Sequence, residues 1–173
     1  MDVSSQEDLY KQAAQTFSAA LGRLARAYEL DPEKRRDLLQ DMHLALWLSL
    51  EKFEARCSLH TWVYRVAHNT AASHVIRQSR MSARELFSLE QLEAMPDGSD
   101  TARTADDRMA VERLYDLIHQ LKPLERDVML LYLEDLDATS IAEIVGISAV
   151  HVRVQIHRIK AILARRFHKG GHS

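Results

Sequence analysis

Ser140-Ile-Ala-Glu-Ile-Val-Gly-Ile-Ser148, followed by Ala149-Val-His-Val-Arg-Val-Gln-Ile-His-Arg158, is the stretch whose reading decides the fold. Ile141, Ile144, Val145 and Ile147 give a short segment an apolar side. Ala142 is small where two helices would cross, and Gly146 supplies the backbone freedom that a tight turn between helices requires. Beyond the turn, Val152, Ile156, Ile159 and Leu163 recur at steps of four, three and four, which is one stripe of a helix from Ser148 to Phe167. With that stripe inward, a rotation of about 100 degrees per residue turns Val150, Val154, His157, Arg158 and Ala161 outward, with His151 and Arg153 on the flanks.

Two outward valines among basic side chains suit a helix lying in a DNA major groove. There an apolar group meets a thymine methyl, and Arg or His reaches base edges and phosphates. The alternative is a helical hairpin packed on another subunit, its valines in a protein interface and its arginines solvated. The run after Glu143 holds no acid and carries Arg153, Arg158, Lys160, Arg165, Arg166 and Lys169, which favours the DNA reading. Lys160, Arg165 and Arg166 read as phosphate contacts or solvated charges rather than base readers.

Upstream of this pair, Asp137 is placed to cap the segment Ala138 to Val145, and Pro123 to open a helix running through Leu133. Met109, Leu114, Leu117, Ile118 and Leu121 continue the helical periodicity back to about Asp106. Pro96-Asp-Gly-Ser-Asp100 breaks the chain before that, and Ser82 with Glu85 has the pattern of a capping box for a short helix through Leu92. Further back lie three longer helical stretches. The first, Glu7 to Glu29, carries Leu9, Phe17, Leu21 and Leu24. The second opens at Asp31-Pro32 and runs to about Phe53, with Leu39, Met42, Leu46, Leu50 and Phe53 on one stripe and a polar opposite face. The third, after a loop at Glu54 to Ser58, runs from Leu59 to about Ser79.

The charges are laid out in blocks: six basic residues against one acid from Lys52 to Arg84, and nine acids against three arginines from Glu85 to Asp116. With 46% hydrophobic residues, 5 Gly and 3 Pro among 173, the composition favours helix throughout and shows no convincing strand. The expected fold is all-α, with an N-terminal helical bundle at 1–82 and a C-terminal helix-turn-helix domain at 108–173. A flexible acidic linker at 83–107 joins them.

Several function classes are excluded. No nucleophile with its base, glycine-rich phosphate loop or metal cluster is legible, so the chain reads as no enzyme, with no catalytic residue, no small-molecule substrate, no cofactor and no metal. Cys57 and His60 have a spacing found in zinc sites, but a second ligand pair is absent. A lone cysteine excludes an internal disulfide framework. The lack of a secretion signal or a membrane-length apolar run points to the cytoplasm.

Asp37-Leu-Leu-Gln-Asp-Met-His-Leu-Ala-Leu-Trp47, then Leu50-Glu-Lys-Phe53, then His60-Thr-Trp-Val-Tyr-Arg-Val-Ala-His-Asn69, resembles region two of the sigma-seventy superfamily in its extracytoplasmic-function form. Leu121-Lys-Pro-Leu-Glu-Arg126 and the helix-turn-helix resemble region four. The two signatures stand in the expected order between Leu24 and Phe167.

The resemblance implies a sigma factor that binds core RNA polymerase and promoter DNA. Asp37, Leu38, Gln40 and Asp41 are implied to dock on a coiled coil of the polymerase clamp, whereas the residues alone suit a solvated polar face equally well. Arg56, Cys57, Ser58, His60 and Thr61 are implied to line a pocket for a base flipped from the minus-ten element, whose extrusion needs stacking and edge hydrogen bonds in return. Trp62, Tyr64, Arg65, His68 and Asn69 are implied strand and phosphate contacts, although Trp62 beside Val63 and Val66 reads more readily as core. Val150, His151, Arg153, Val154, His157 and Arg158 are implied to read the minus-thirty-five element.

Ser140, His151, Val154 and Gln155 depart from the residues usual in the family. These changes leave the fold intact but bear on which promoter sequence is read. The family also implies an anti-sigma partner that covers both domains' DNA-binding faces and, where it is membrane-bound, holds the chain at the membrane's inner face. The competing readings are a stand-alone helix-turn-helix regulator and a helical interaction adaptor.

Overall fold

The computed structural model describes residues 3–79, 86–95 and 107–167. They form eight α-helices and no strand, divided between two units, Met1–Arg84 and Glu85–Ser173.

The first unit is a three-helix bundle of α1 (Val3–Tyr28), α2 (Pro32–Leu50) and α3 (Leu59–Ser79), each packed on the other two. The turn between α1 and α2 is set locally, since Asp31 Oδ1 accepts from Glu33 N at 2.9 Å and Lys34 N at 3.0 Å while Pro32 occupies the first turn. Those two N–H donors, Lys34 first, hold the Asp31 carboxyl below its ordinary value. Leu21 and Leu24 from α1, Leu38, Met42, Leu46 and Leu50 from α2, and Val63, Ala67 and Ala71 from α3 fill the core. The small α3 residues allow close helix approach.

The buried stripe of α2 differs from the expected one. Leu38, not Leu39, begins it, and Phe53 lies beyond the helix, half-buried with its ring 5.4 Å from that of Trp62. A helix wedged between two others buries an arc centred between its neighbours, which a single-stripe count does not locate. Near the end of α1, His74 of α3 pairs with the Glu29 carboxylate at 2.8 Å, both side chains largely buried. Burial pushes the Glu29 carboxyl up, but hydrogen bonds from His74 and the Asp31 N–H outweigh it and leave the group below its ordinary value. Six residues earlier along α3, His68 Nδ1 lies 3.3 Å from the Tyr28 hydroxyl.

The second unit comprises α4 (Leu89–Ala94), α5 (Asp107–Gln120), α6 (Pro123–Leu133), α7 (Ala138–Val145) and α8 (Ala149–Phe167). Helix α8 packs against α4, α6 and α7, and Ile118, Leu121, Met129, Leu131 and Ile141 are fully buried. Ser82, Glu85 and the turn sequence Pro96–Asp100 lie outside the described residues. The capping box of α4 is formed by Ser88 and Gln91: Gln91 N donates to Ser88 Oγ at 3.2 Å and Ser88 N to Gln91 Oε1 at 2.8 Å. Residues 86–95, inside the 83–107 stretch read as a tether, thus carry a helix whose Leu89 and Leu92 are buried. Immediately before it, Phe87 N donates to Gln120 O at 2.7 Å and Lys122 N to Phe87 O at 2.9 Å, clipping this segment to the α5–α6 junction.

Candidate nucleic-acid interface

The helix-turn-helix is built as its residues dictate. Asp137 caps α7 by accepting from Thr139 N at 2.9 Å and Ser140 N at 2.8 Å, and the Ser140 bond foremost lowers its pKa. Gly146 ends α7 at φ 76, a left-handed conformation that a side chain would strain, with its N–H on Ala142 O at 2.9 Å. Ser148 Oγ accepts from His151 N at 3.2 Å and caps the start of α8.

The core face of α8 is Val152, Gln155, Ile159 and Ile162, while Ile156 and Leu163 are only half-buried. This corrects the expected stripe at two positions. Contacts on three sides, from α4, α6 and α7, bury an arc wider than one stripe and centred toward Gln155. A glutamine is tolerated there because its Nε2 lies 3.0 Å from His151 Nε2, although its Oε1 has no partner among the described residues.

The outward face is as expected for most of its members. Val150 is 67% exposed and Val154 50%, and His151, Arg153 and His157 are also exposed. Arg158 is half-buried and forms an ion pair with Glu90 of α4. Farther along, Arg165 donates Nη1 to Glu93 O at 2.8 Å and Nη2 to Leu92 O at 3.0 Å, and Lys160 Nζ stands 5.9 Å from the centre of the Tyr132 ring. Sequence reading missed α4 as a neighbour of this helix. The one available signal was the pair Leu89 and Leu92, three residues apart inside an acidic stretch.

On the first unit, Asp37, Gln40 and Asp41 are exposed and Leu38 is completely buried, supporting that face from beneath. The same face continues through Leu44 and Leu48, each 59% exposed, at the spacing 37, 41, 44, 48. The side of α2 expected to be polar therefore carries two bare leucines, a pattern typical of a protein-contact surface. Arg77 of α3 lies 3.6 Å from Asp41.

The loop before α3 passes Ala55 at a positive φ of 57 and exposes Arg56, which pairs with Glu54 at 2.7 Å. Cys57 is half-buried and Ser58 exposed. Ser58 Oγ accepts from Thr61 N at 3.0 Å and contacts Thr61 Oγ1 at 2.9 Å. Along α3 the candidates separate: His60 and Arg65 are half-buried and Asn69 is exposed, whereas Thr61, Tyr64 and His68 are buried. Trp62 is intermediate, its Nε1 donating to Ser49 Oγ at 3.1 Å beneath the Phe53 ring contact. Phe17 of α1 joins His60 and Tyr64 in an aromatic cluster, with ring centres 5.5 Å and 6.1 Å away. Phe17 and Phe53 were read from sequence as members of apolar stripes and not as neighbours of the site, because contacts across separate elements leave no trace in local spacing.

Residues 14–81 match the family described as Sigma-70 region 2, and residues 111–163 match Sigma-70, region 4. The chain belongs to the sigma-70 family, in its extracytoplasmic-function group. Region two covers the three-helix bundle from Ala14 of α1 onward, and region four runs from Val111 in α5 to Leu163 in α8. The ECF RNA polymerase sigma-E factor of Haemophilus influenzae is 29% identical over 137 residues, covering 75% of this chain and 72% of that protein. RNA polymerase sigma factor YlaC of Bacillus subtilis is 28% identical over 164 residues, 94% of this chain and 92% of that protein. Among solved structures, sigma factor RpoE in complex with the anti-sigma factor NepR from Bartonella quintana has a similar fold, with a TM-score of 0.67, 17% identity and coverage of 90% of this chain and 94% of that one. CnrH, solved in complex with the cytosolic domain of CnrY, gives a TM-score of 0.62 at 19% identity over 90% of this chain and 85% of that one.

In these family terms, region two presents an acidic and leucine-bearing face on α2 and an aromatic and basic surface around the start of α3. Region four presents the outward side of α8. Among the described residues, no group of three or more His, Cys, Asp or Glu could hold a metal ion, and no helix is long and apolar enough to cross a membrane.

Proposed function

We propose that this chain is a promoter-specificity subunit that binds core RNA polymerase and directs transcription initiation, with α8 as the helix that reads the minus-thirty-five element. The outward side of α8 carries this reading: Val150, Arg153, Val154 and His157 stand exposed on a helix that follows a capped, glycine-terminated turn, with no carboxylate on the helix itself. Arginine and histidine there supply phosphate and base-edge hydrogen bonds, and the valines supply apolar contacts for thymine methyl groups.

In region two, Asp37, Gln40 and Asp41, extended by Leu44 and Leu48, form the polymerase-docking face; exposed leucines edged by carboxylates suit a basic, partly apolar coiled coil. Leu38 underlies that face. Arg56, Ser58, His60, Arg65 and Asn69 contact the displaced minus-ten strand, with Cys57 and Trp62 at the margin of the base pocket. Thr61, Tyr64 and His68 shape the pocket from within. An anti-sigma partner covering these surfaces is supported by the RpoE–NepR complex, and the chain works in the cytoplasm, at the membrane when such a partner is anchored there.

The test is run-off transcription with purified core polymerase on genomic fragments, using the intact chain and the Arg153→Ala variant. Discrete start sites are expected with the intact chain and their loss or weakening with the variant. An absence of start sites defeats the proposal. Sites undiminished by the substitution defeat the assignment of α8.

A further inference from the structure

Resting on the reading of α8 above, we propose that α4 is a built-in electrostatic cover for that helix: Glu90 occupies Arg158 and lowers the free chain's affinity for DNA until phosphate displaces the carboxylate. Three features place a carboxylate-bearing segment at the reading face. Glu90 pairs with Arg158, one of the six residues assigned to DNA. Leu89, Glu90, Leu124 and Glu125 enclose a concave patch with His151, Val154, Gln155 and Arg158, so two carboxylates flank three of those six residues. The guanidinium of Arg165 is forked onto the last carbonyls of α4, which withdraws a second cation from phosphate.

The segment is anchored firmly enough to act at a distance from its own side chains. Leu89 and Leu92 are buried, the Ser88–Gln91 capping box closes its first turn, and Phe87 is clipped by two backbone hydrogen bonds. The pair itself is not so protected, because the Glu90 side chain is 69% exposed and that of Arg158 31%. What gives way on DNA binding is therefore the ion pair and not the packing of α4. An exposed pair is weak and readily exchanged, as a competitive cover requires. DNA offers Arg158 a phosphate in place of Glu90, and removal of the carboxylate also relieves its repulsion of the DNA backbone.

The experiment measures binding of the full-length chain to a duplex carrying the minus-thirty-five element, by fluorescence anisotropy across a salt series without polymerase. Glu90→Gln is expected to tighten binding about threefold to fivefold, as the loss of one exposed competing pair allows. It should steepen the salt dependence by about one phosphate contact. Glu93→Gln removes the same charge from α4 without touching an ion pair among the described residues, where the Glu93 carbonyl and not its carboxylate engages Arg165, and is expected to have a smaller effect. In an Arg158→Ala background, Glu90→Gln should lose most of its effect.

Equal tightening by both glutamines, or persistence of the Glu90 effect without Arg158, overturns the cover in favour of general charge repulsion. No tightening by Glu90→Gln also overturns it. Arg153→Ala separates the two levels: if it weakens duplex binding while Glu90→Gln does nothing, only the cover fails, and if it changes nothing, the assignment of α8 fails.

Discussion

Helices α3 and α8 carry the two sets of candidate DNA residues, and they treat them oppositely. On α8 the polar and basic candidates stand on the outside except Arg158, which is half-buried against Glu90, and the one buried polar side chain, Gln155, was not among them. On α3 the candidates are divided through the thickness of the helix, with Thr61, Tyr64 and His68 buried beside Val63 and Ala67. Both helices have two or more packing partners. The difference lies in what satisfies the buried polar groups. In α3, Thr61 meets Ser58, His68 meets Tyr28, and His74 meets Glu29, so hydrogen-bonding side chains can be placed inward without leaving donors stranded. The surface proposed to melt DNA is thereby backed by hydrogen-bonded polar side chains, whereas the surface proposed to read intact duplex rests on a mostly aliphatic face in which Gln155 is the one buried polar side chain.

Substitutions at matched positions test this contrast. The largest effect is expected for Tyr64→Ala, which removes a ring 3% exposed and in contact with Phe17 and His60. A cost of about 3–5 kcal/mol is expected, as for other buried aromatic truncations. Trp47 and Trp62, the two tryptophans of the chain, both lie in the first unit, so tryptophan fluorescence during urea unfolding reads that unit alone. If Tyr64→Ala leaves the fluorescence transition in place, Tyr64 belongs to the DNA surface and the contrast collapses.

Next comes Glu29→Ala, which leaves His74 buried without its carboxylate and should cost about 3 kcal/mol by the same measurement. Glu29 and Asp31 also set a pH dependence. Their folded-state pKa values lie below the ordinary 4.5 and 3.8, so the unfolded chain binds their protons more readily. Their stabilisation is full above the unfolded values and lost as pH falls through the folded ones, which places the onset of the decline at about pH 4.5. A first unit equally stable at pH 3 and pH 6 would refute this.

Smaller effects are expected in the second unit. Gly146→Ala forces a side chain to φ 76 with nothing within 4 Å to clash, so the cost is backbone strain alone, about 1–2 kcal/mol. Asp137→Ala removes the cap of α7 and should cost about 1 kcal/mol, seen in the circular dichroism transition with the fluorescence transition unmoved. The smallest stability change, within about 0.5 kcal/mol, is expected for Val154→Ala, which lies on the bare side of α8. The same variant should nonetheless weaken specific duplex binding about fivefold, the scale of one lost base contact. A large loss of stability there would place Val154 in the core and erase the distinction between the two helices.

The helices were legible in the chain because their ends are written locally. Asp31-Pro32, Pro123, Asp137 and Gly146 each act within one turn of the backbone, and α2, α6 and α7 begin or end where those residues stand. Leu44 and Leu48 were passed over because exposure is not a property of leucine, and Leu38 was assigned to a contact face although its side chain is fully buried.

By itself the sequence determined the all-α class, the helix-turn-helix and the outward valines of α8, since helix period, capping and turn conformation depend on residues within a few positions of one another. Only the tertiary structure decided that Gln155 faces inward, that Phe17 joins His60 and that Glu90 meets Arg158. Those contacts join residues on different helices or depend on which neighbours surround a helix. They are set by how several faces pack at once, and no spacing along one helix encodes that outcome.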